Sequence, residues 1–146
     1  MLKVGDQAPD FDTVDCRGER VRLSDFKGKK VVLFFFPRAF TVACTLEVQN
    51  FRDNYERITS FNAELIGVSV DKAERNCKFA ETEKLQFRLI GDEQRVLSEL
   101  YGVVWPVLKI DRRATFVVDE RGVIVEVIHH EVQVYRHLED VLAKLR

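Results

Sequence analysis

The chain has 146 residues, of which 46% are hydrophobic, and its 23 basic and 24 acidic residues nearly cancel. This length suits one well-packed domain over residues 1–146 and is short for two, and the interspersed charges predict no basic surface for nucleic acid. No apolar run approaches the roughly 20 residues that cross a bilayer and no signal-like segment opens the chain, so we expect a cytoplasmic protein that does not bind membranes.

The hydrophobic pattern predicts strands and helices in alternation after an N-terminal hairpin. Residues 11–23 alternate loosely around a turn at 15–18, as in a β-hairpin. The elements predicted after it are strands at 31–36, 65–70, 87–90, 114–118 and 123–128, and helices at 41–59, 71–84 (with Asp71 as N-cap), 93–101 and 132–145. This order predicts an α/β fold with a mixed central sheet and helices on both faces.

The central stretch runs from a buried strand through Pro37 into the helix that begins near Thr41, and it carries Cys44. At a helix N-terminus, unpaired N–H groups and the positive end of the dipole favour a thiolate over a thiol, so we expect Cys44 to be nucleophilic. Thr41 stands three residues earlier, as an N-cap or as a hydroxyl directed at whatever meets the sulfur. A cysteine that only packs in the core is the alternative.

The spacing Pro37-x-x-x-Thr41-x-x-Cys44 resembles the signature of the peroxiredoxins, thiol peroxidases on a thioredoxin-like fold. With segments 34–37, 44–47 and 51–55, the chain most resembles the bacterioferritin-comigratory or peroxiredoxin Q branch of this AhpC/TSA-type family. The resemblance implies reduction of hydrogen peroxide and organic hydroperoxides through a cysteine sulfenic acid. It also implies regeneration by thioredoxin, glutaredoxin or a similar thiol, no cofactor or metal, and a monomer or homodimer.

The resemblance assigns roles to the residues around the thiol. Cys44 is the peroxidatic cysteine, which attacks one peroxide oxygen while the other leaves with negative charge. The Thr41 hydroxyl is directed at the thiolate or the peroxide, although a plain helix cap is the alternative. Pro37 fixes the loop over the sulfur, or merely ends the strand.

An arginine is expected from the segment 113–119, which resembles the Arg-Ser/Ala-Thr-Phe-x-x-Asp strand of the family. Arg113 is therefore the residue that would stabilise the thiolate and the developing oxygen charge, and Glu47 would orient it. Because neighbouring strand residues face opposite sides, Arg112 is predicted to be a solvated charge on the other face.

The two remaining cysteines leave the regeneration step open. Many members of this branch carry a second cysteine five residues after the first, but this chain has Gln49 there, which excludes that disulfide. Some relatives place a resolving cysteine in the next helix, where Cys77 lies, although its position two residues before Phe79 departs from theirs. Cys77 is a possible resolving residue or an inert packing cysteine. Cys16, at the hairpin turn, is interpreted as an incidental exposed thiol.

Two other functions compete with the peroxidase. A thioredoxin-like disulfide reductase needs a CxxC motif, which is missing. A thiol-based redox sensor or chaperone-like binding protein, with only incidental turnover, remains the alternative. The pair His129-His130 predicts no metal site, because adjacent strand residues face opposite sides and no ligand spacing completes one.

Overall fold

The computed structural model describes residues 1–131 and 133–146. The chain opens with the predicted hairpin, in which β1 (Asp12–Val14) pairs antiparallel with β2 (Arg20–Arg22). A short 3-10 helix, Leu23–Phe26, then leads into the central sheet. The turn of the hairpin is fixed by Asp15, whose backbone N–H donates to the carbonyl of Glu19 at 2.8 Å.

Five strands form one mixed sheet in the order β5-β4-β3-β6-β7. Their bounds are β3 (Lys30–Phe35), β4 (Ala63–Ser69), β5 (Arg88–Gly91), β6 (Ala114–Val118) and β7 (Ile124–His129). Strands β3, β4 and β5 run parallel, whereas β6 and β7 pair antiparallel to their neighbours. The central strand β3 is buried almost throughout, because it is covered on both faces.

Helices cover both faces of this sheet. Their bounds are α1 (Val42–Asp53), α2 (Tyr55–Thr59), α3 (Ala73–Glu83), α4 (Val96–Leu100) and α5 (Tyr135–Leu145). Buried residues of α1, α2, α3 and α5 share one core cluster with Val32 and Phe34, whereas α4 and the hairpin share the other with Leu33 and Phe35. The predicted α/β fold is confirmed. None of the described helices is long and apolar enough to cross a membrane.

Two predicted helix boundaries are wrong for local reasons. The helix expected over residues 41–59 breaks at Asn54, whose side-chain Nδ2 donates to the carbonyl of Asn50 at 2.9 Å and so competes with the helical ladder. The next helix is capped by Lys72 rather than by the predicted Asp71, because the Asp71 carboxylate has tertiary partners. The predicted start of the last helix, at Val132, lies outside the described residues.

Candidate active site

The thiol lies where a strand passes into a helix. After β3, the Phe36 N–H donates to the carbonyl of Val68 at 2.9 Å, and half-buried Pro37 follows in the loop. The first helical hydrogen bond of α1 runs from the Thr45 N–H to the Thr41 carbonyl at 2.9 Å. The N–H of Cys44 therefore belongs to the first turn, where backbone donors lack helical acceptors. The side chain of Cys44 is fully buried.

Arg113 reaches the sulfur from the start of β6. Its Nη2 donates to Sγ of Cys44 at 3.4 Å, and its Nη1 donates to Oε1 of Glu47 at 2.7 Å. A third bond, from Nε to the carbonyl of Glu131 at 3.1 Å, fixes the plane of the guanidinium. Glu47 follows Cys44 by three residues, so both side chains leave the same face of α1. The structure thus brings together three of the residues that the sequence analysis selected.

Burial sets the charges of this group. Desolvation raises the pKa of Glu47 to about 7, although the adjacent Arg113 acts to lower it. For Arg113 burial alone would lower the pKa, but the charges of Glu47 and Cys44 outweigh it and the pKa is raised. The guanidinium therefore stays charged beside the sulfur.

His137 extends the group, and the sequence analysis missed it. This histidine is fully buried in α5, and burial lowers its pKa to about 4, so the ring is neutral near pH 7. Nε2–H donates to the carbonyl of His130 at 2.9 Å, which leaves Nδ1 to accept from the Thr115 hydroxyl at 2.7 Å. Nδ1 lies 3.7 Å from Oε2 of Glu47, the oxygen that has no hydrogen-bond partner among the described residues. The available signal was a histidine on the apolar face of α5, four residues before Val141.

Thr41 has its hydroxyl engaged by a backbone carbonyl in this conformation. It is the N-cap residue of α1 by backbone position, but its side chain makes no cap hydrogen bond. Its hydroxyl donates instead to the carbonyl of Arg38 at 2.8 Å. The predicted role of this hydroxyl at the peroxide stays a prediction.

The loop in front of the thiol is held by residues of α3 and its N-terminal approach. Ala39 N–H donates to the Asp71 carboxylate at 2.8 Å, and Arg75 Nη2 donates to the Ala39 carbonyl at 3.3 Å. Phe40 adopts a left-handed backbone conformation with φ of 69°, and its ring centroid lies 5.1 Å from that of Phe79 on α3. The geometry of the loop therefore depends on α3 remaining folded.

The other two cysteines are joined to each other. Cys16 and Cys77 form a disulfide with Cα atoms 5.3 Å apart, and Cys44 is free. The interpretation of Cys16 as an incidental exposed thiol is wrong, because this residue is half-buried and paired. Its N–H donates to the carbonyl of Leu89 at 2.8 Å, which seats the hairpin turn against β5 and next to α3. The Cys44–Cys77 disulfide that a resolving Cys77 would form is not the bond present in this structure.

The remaining candidates lie apart from the thiol. Arg112 stacks over the ring of Trp105, with its guanidinium carbon 3.9 Å from the ring centroid. His129 contacts Glu131 at 3.1 Å and His130 contacts Asp140 at 3.7 Å. Within residues 1–131 and 133–146, no group of three or more His, Cys, Asp or Glu side chains could hold a metal ion.

Comparison with known proteins gives consistent matches along the chain. The family model that describes AhpC/TSA sequences matches residues 4–127 of this chain. Peroxiredoxin Bcp of Bacillus subtilis (strain 168) is 36% identical over 152 residues, a match that covers 99% of this chain and 96% of that protein. The crystal structure of peroxidoxin BcpB from Mycobacterium tuberculosis superposes with a TM-score of 0.93 at 34% identity, covering 100% of this chain and 97% of that one. PrxQ from Xylella fastidiosa superposes with a TM-score of 0.90 at 25% identity, with 99% and 96% covered.

Proposed function

The chain belongs to the AhpC/TSA family as a thiol-dependent peroxidase of the Bcp and peroxiredoxin Q kind, and on that premise we propose that Cys44 is its peroxidatic residue. The observation that carries this assignment is the buried contact of 3.4 Å between Arg113 Nη2 and Cys44 Sγ, at the first turn of α1. A fixed positive charge and free helical N–H groups at one sulfur can stabilise the negative charge that develops during attack on a peroxide.

The proposed first step breaks the peroxide bond. The Cys44 thiolate attacks the terminal oxygen of a hydroperoxide, the S–O bond forms and the O–O bond breaks. Cys44 becomes a sulfenic acid, and the leaving hydroxide or alkoxide takes a proton from solvent. Arg113 stabilises the negative charge that moves from sulfur to oxygen, and Glu47 holds the guanidinium in place. Thr41 would turn its hydroxyl towards the peroxide, and Pro37 would keep the loop closed over the sulfur.

The proposed second step makes Cys77 the resolving cysteine. The Cys77 thiolate attacks the sulfenic sulfur of Cys44, the S–S bond forms and the S–O bond breaks. The oxygen leaves as hydroxide and takes one proton to become water, and the product is a Cys44–Cys77 disulfide. Disulfide bonding requires Cα atoms within about 7 Å. Because Cys44 is fully buried in α1, we propose that the first turn of α1 and the middle of α3 unwind for this step.

The proposal extends to partners and setting. A dithiol reductant such as thioredoxin, glutaredoxin or a similar protein would then reduce the disulfide and return both thiols. We propose that the chain acts as one domain over residues 1–146, in the cytoplasm, as a monomer or homodimer, and without nucleic acid or membrane partners.

The decisive experiment is a peroxide-consumption assay with thioredoxin and its reductase, repeated with glutaredoxin. Cys44→Ser should lose turnover, because a hydroxyl is not ionised near neutral pH and attacks O–O bonds poorly. Cys77→Ser should react once and then accumulate overoxidised Cys44. Retained turnover in Cys44→Ser would remove the peroxidatic assignment. Stoichiometric oxidation of the wild type without sustained turnover, given an effective reductant, would favour a redox sensor instead.

A further inference from the structure

The Cys16–Cys77 disulfide occupies a residue that the proposed cycle needs. Cys77 cannot attack a sulfenic acid while its sulfur is bonded to Cys16, so this disulfide must be open before each resolution step. At the same time Cys44 is free and in contact with Arg113. The structure therefore combines a reduced, folded active site with an oxidised pair elsewhere.

Cys16 and Cys44 lie at different strands of the sheet. Its N–H is bonded to Leu89 in the outermost strand β5, whereas Cys44 follows β3 and contacts Arg113 at the start of β6. Strand β4 separates β5 from β3, so at about 4.8 Å per strand spacing the two regions lie roughly 10 Å apart. Cys77 has its Cα atom 5.3 Å from that of Cys16 and lies on α3, whose Phe79 shares a core cluster with Cys44, so this helix contacts both regions.

We propose that Cys16 is a second resolving cysteine, which takes the disulfide from Cys44 through Cys77. This inference rests on the proposed roles of Cys44 and Cys77. In the transfer the Cys16 thiolate attacks the Cys77 sulfur of the Cys44–Cys77 disulfide. The Cys16–Cys77 bond forms, the Cys44–Cys77 bond breaks, and Cys44 leaves as a thiolate, so the number of disulfides and of electrons is unchanged.

Folding energy drives this transfer in one direction. A Cys44–Cys77 bond draws Cys44 out of a core that it shares with Phe36, Val48 and Phe79, whereas the Cys16–Cys77 bond coexists with intact α1 and α3. The leaving thiolate also regains the Arg113 contact. Exchange to Cys16–Cys77 therefore allows both helices to refold.

The transfer also places the disulfide where a reductant can reach it. Cys44 is fully buried, whereas Cys16 and Cys77 are both partly exposed. Cys16 borders a surface cavity that is also lined by Arg17, Gln86 and Arg88. A thiol reductant needs direct access to a disulfide sulfur, and the Cys16–Cys77 pair offers that access without unfolding α1.

The experiment is a single turnover followed by disulfide mapping. Fully reduced wild type, Cys16→Ser and Cys44→Ser receive one equivalent of hydrogen peroxide, are alkylated at increasing times, and are digested without reduction for mass spectrometry. In the wild type a Cys44–Cys77 peptide should appear first and decay into a Cys16–Cys77 peptide with alkylated Cys44. In Cys16→Ser the Cys44–Cys77 peptide should persist. A second equivalent should oxidise Cys44 in the wild type and spare it in Cys16→Ser.

The outcomes separate this inference from the function on which it rests. A Cys44–Cys77 bond that persists in the wild type would overturn the relay and leave the peroxidase intact. A Cys16–Cys77 bond that forms equally fast in Cys44→Ser would also overturn it, because that bond would then arise without Cys44. If wild-type Cys44 reacted with peroxide no faster than Cys16 or Cys77, the peroxidatic assignment itself would fail. All starting proteins are fully reduced, so none of them contains the Cys16–Cys77 disulfide and the variants are compared in the same redox state. Circular dichroism checks that Cys16→Ser is folded like the wild type.

Discussion

The backbone N–H of Ala39 donates to the Asp71 carboxylate at 2.8 Å, which ties the loop in front of the thiol to the segment that leads into α3. The same carboxylate accepts from the Ser69 hydroxyl at 2.7 Å and lies 3.3 Å from Arg75 Nε. One carboxylate thus joins the end of β4, the start of α3 and the active-site loop.

Asp71→Ala should lower the free energy of unfolding by about 1–3 kcal/mol, because it leaves buried donors without an acceptor. Amide hydrogen exchange in residues 38–41 should also become faster. Urea denaturation measures the first effect and exchange mass spectrometry the second. Asp53→Ala is the control, since the Asp53 side chain is 62% exposed and its pairing with Arg52 should contribute little. Equal losses in the two variants would contradict this account of the loop.

Arg113→Ala should slow the reaction of Cys44 with peroxide roughly 10²-fold or more, the scale for losing one preorganised donor of charge stabilisation. Stopped-flow kinetics under single-turnover conditions measures this rate without the reductant. Arg112→Ala is the matched control, because that guanidinium stacks on Trp105 and should leave the rate nearly unchanged. The opposite ranking of the two variants would show that Arg112 is the arginine that acts on the sulfur.

Glu47 and His137 should give opposite slopes of stability against pH. Glu47 has a folded pKa of about 7, above its ordinary 4.5, so the folded state binds more protons between these values and stability falls as pH rises. His137 has a folded pKa of about 4, below its ordinary 6.5, so the unfolded state binds more protons there and stability is lost as pH falls. Between about pH 4.5 and 6.5 the two effects oppose each other in the wild type.

Single substitutions should separate these slopes. Glu47→Gln removes the contribution of Glu47, which makes stability fall as pH rises. The stability of this variant should therefore rise more steeply from pH 4.5 to 6.5 than that of the wild type. His137→Gln removes the contribution of His137, which makes stability rise with pH. The stability of this variant should therefore decline as pH rises across the same range. Denaturant titrations at several pH values give the slopes, and parallel curves for the three proteins would refute the assignment. The slope is the readout because each substitution also changes packing.

Gly91→Ala should destabilise the junction between β5 and α3. An added Cβ would lie 2.6 Å from the Ala73 nitrogen and 2.8 Å from the Asp71 carbonyl oxygen, and backbone atoms cannot move aside as a flexible side chain can. We expect a loss of about 1–3 kcal/mol, typical of overpacking, measured by urea denaturation. Lys72→Ala, an exposed change at the same junction, should stay within about 0.5 kcal/mol of the wild type. A Gly91→Ala protein as stable as Lys72→Ala would be inconsistent with this close approach.

The sequence predicts the fold well where one local signal decides. The apolar run at 31–36 predicts a strand that is covered on both faces. In the structure Lys30–Phe35 forms the buried strand β3. Alternation along the predicted strand favours Arg113 over Arg112, although a slip of one residue would exchange them. The strand and the helix after it place the cysteine, whereas Arg113 was assigned to the same site by the resemblance of segment 113–119 to the arginine strand of the family.

Other features depend on partners that lie far along the chain. Asp71 has the pattern of a helix cap, but its donors include Ala39, 32 residues earlier. Cys16 resembles an isolated turn thiol, and only the docking of the hairpin on β5 brings it to Cys77. The pattern of α5 predicts only that His137 is a core residue. Its hydrogen bond with the Thr115 hydroxyl forms because α5 packs on the sheet. Tertiary contacts decide the role of each of these residues.

The hairpin turn also has a consequence for association between molecules. Strand β5 is an edge strand of the sheet. The N–H of Cys16 donates to the carbonyl of Leu89 on this strand. Unpaired strand edges recruit strands from other chains, so this turn caps a potential aggregation site. The disulfide to Cys77 keeps that cap in place. Once it is cut, noncovalent contacts alone, such as the bond from the Cys16 N–H to Leu89, hold the turn on this edge.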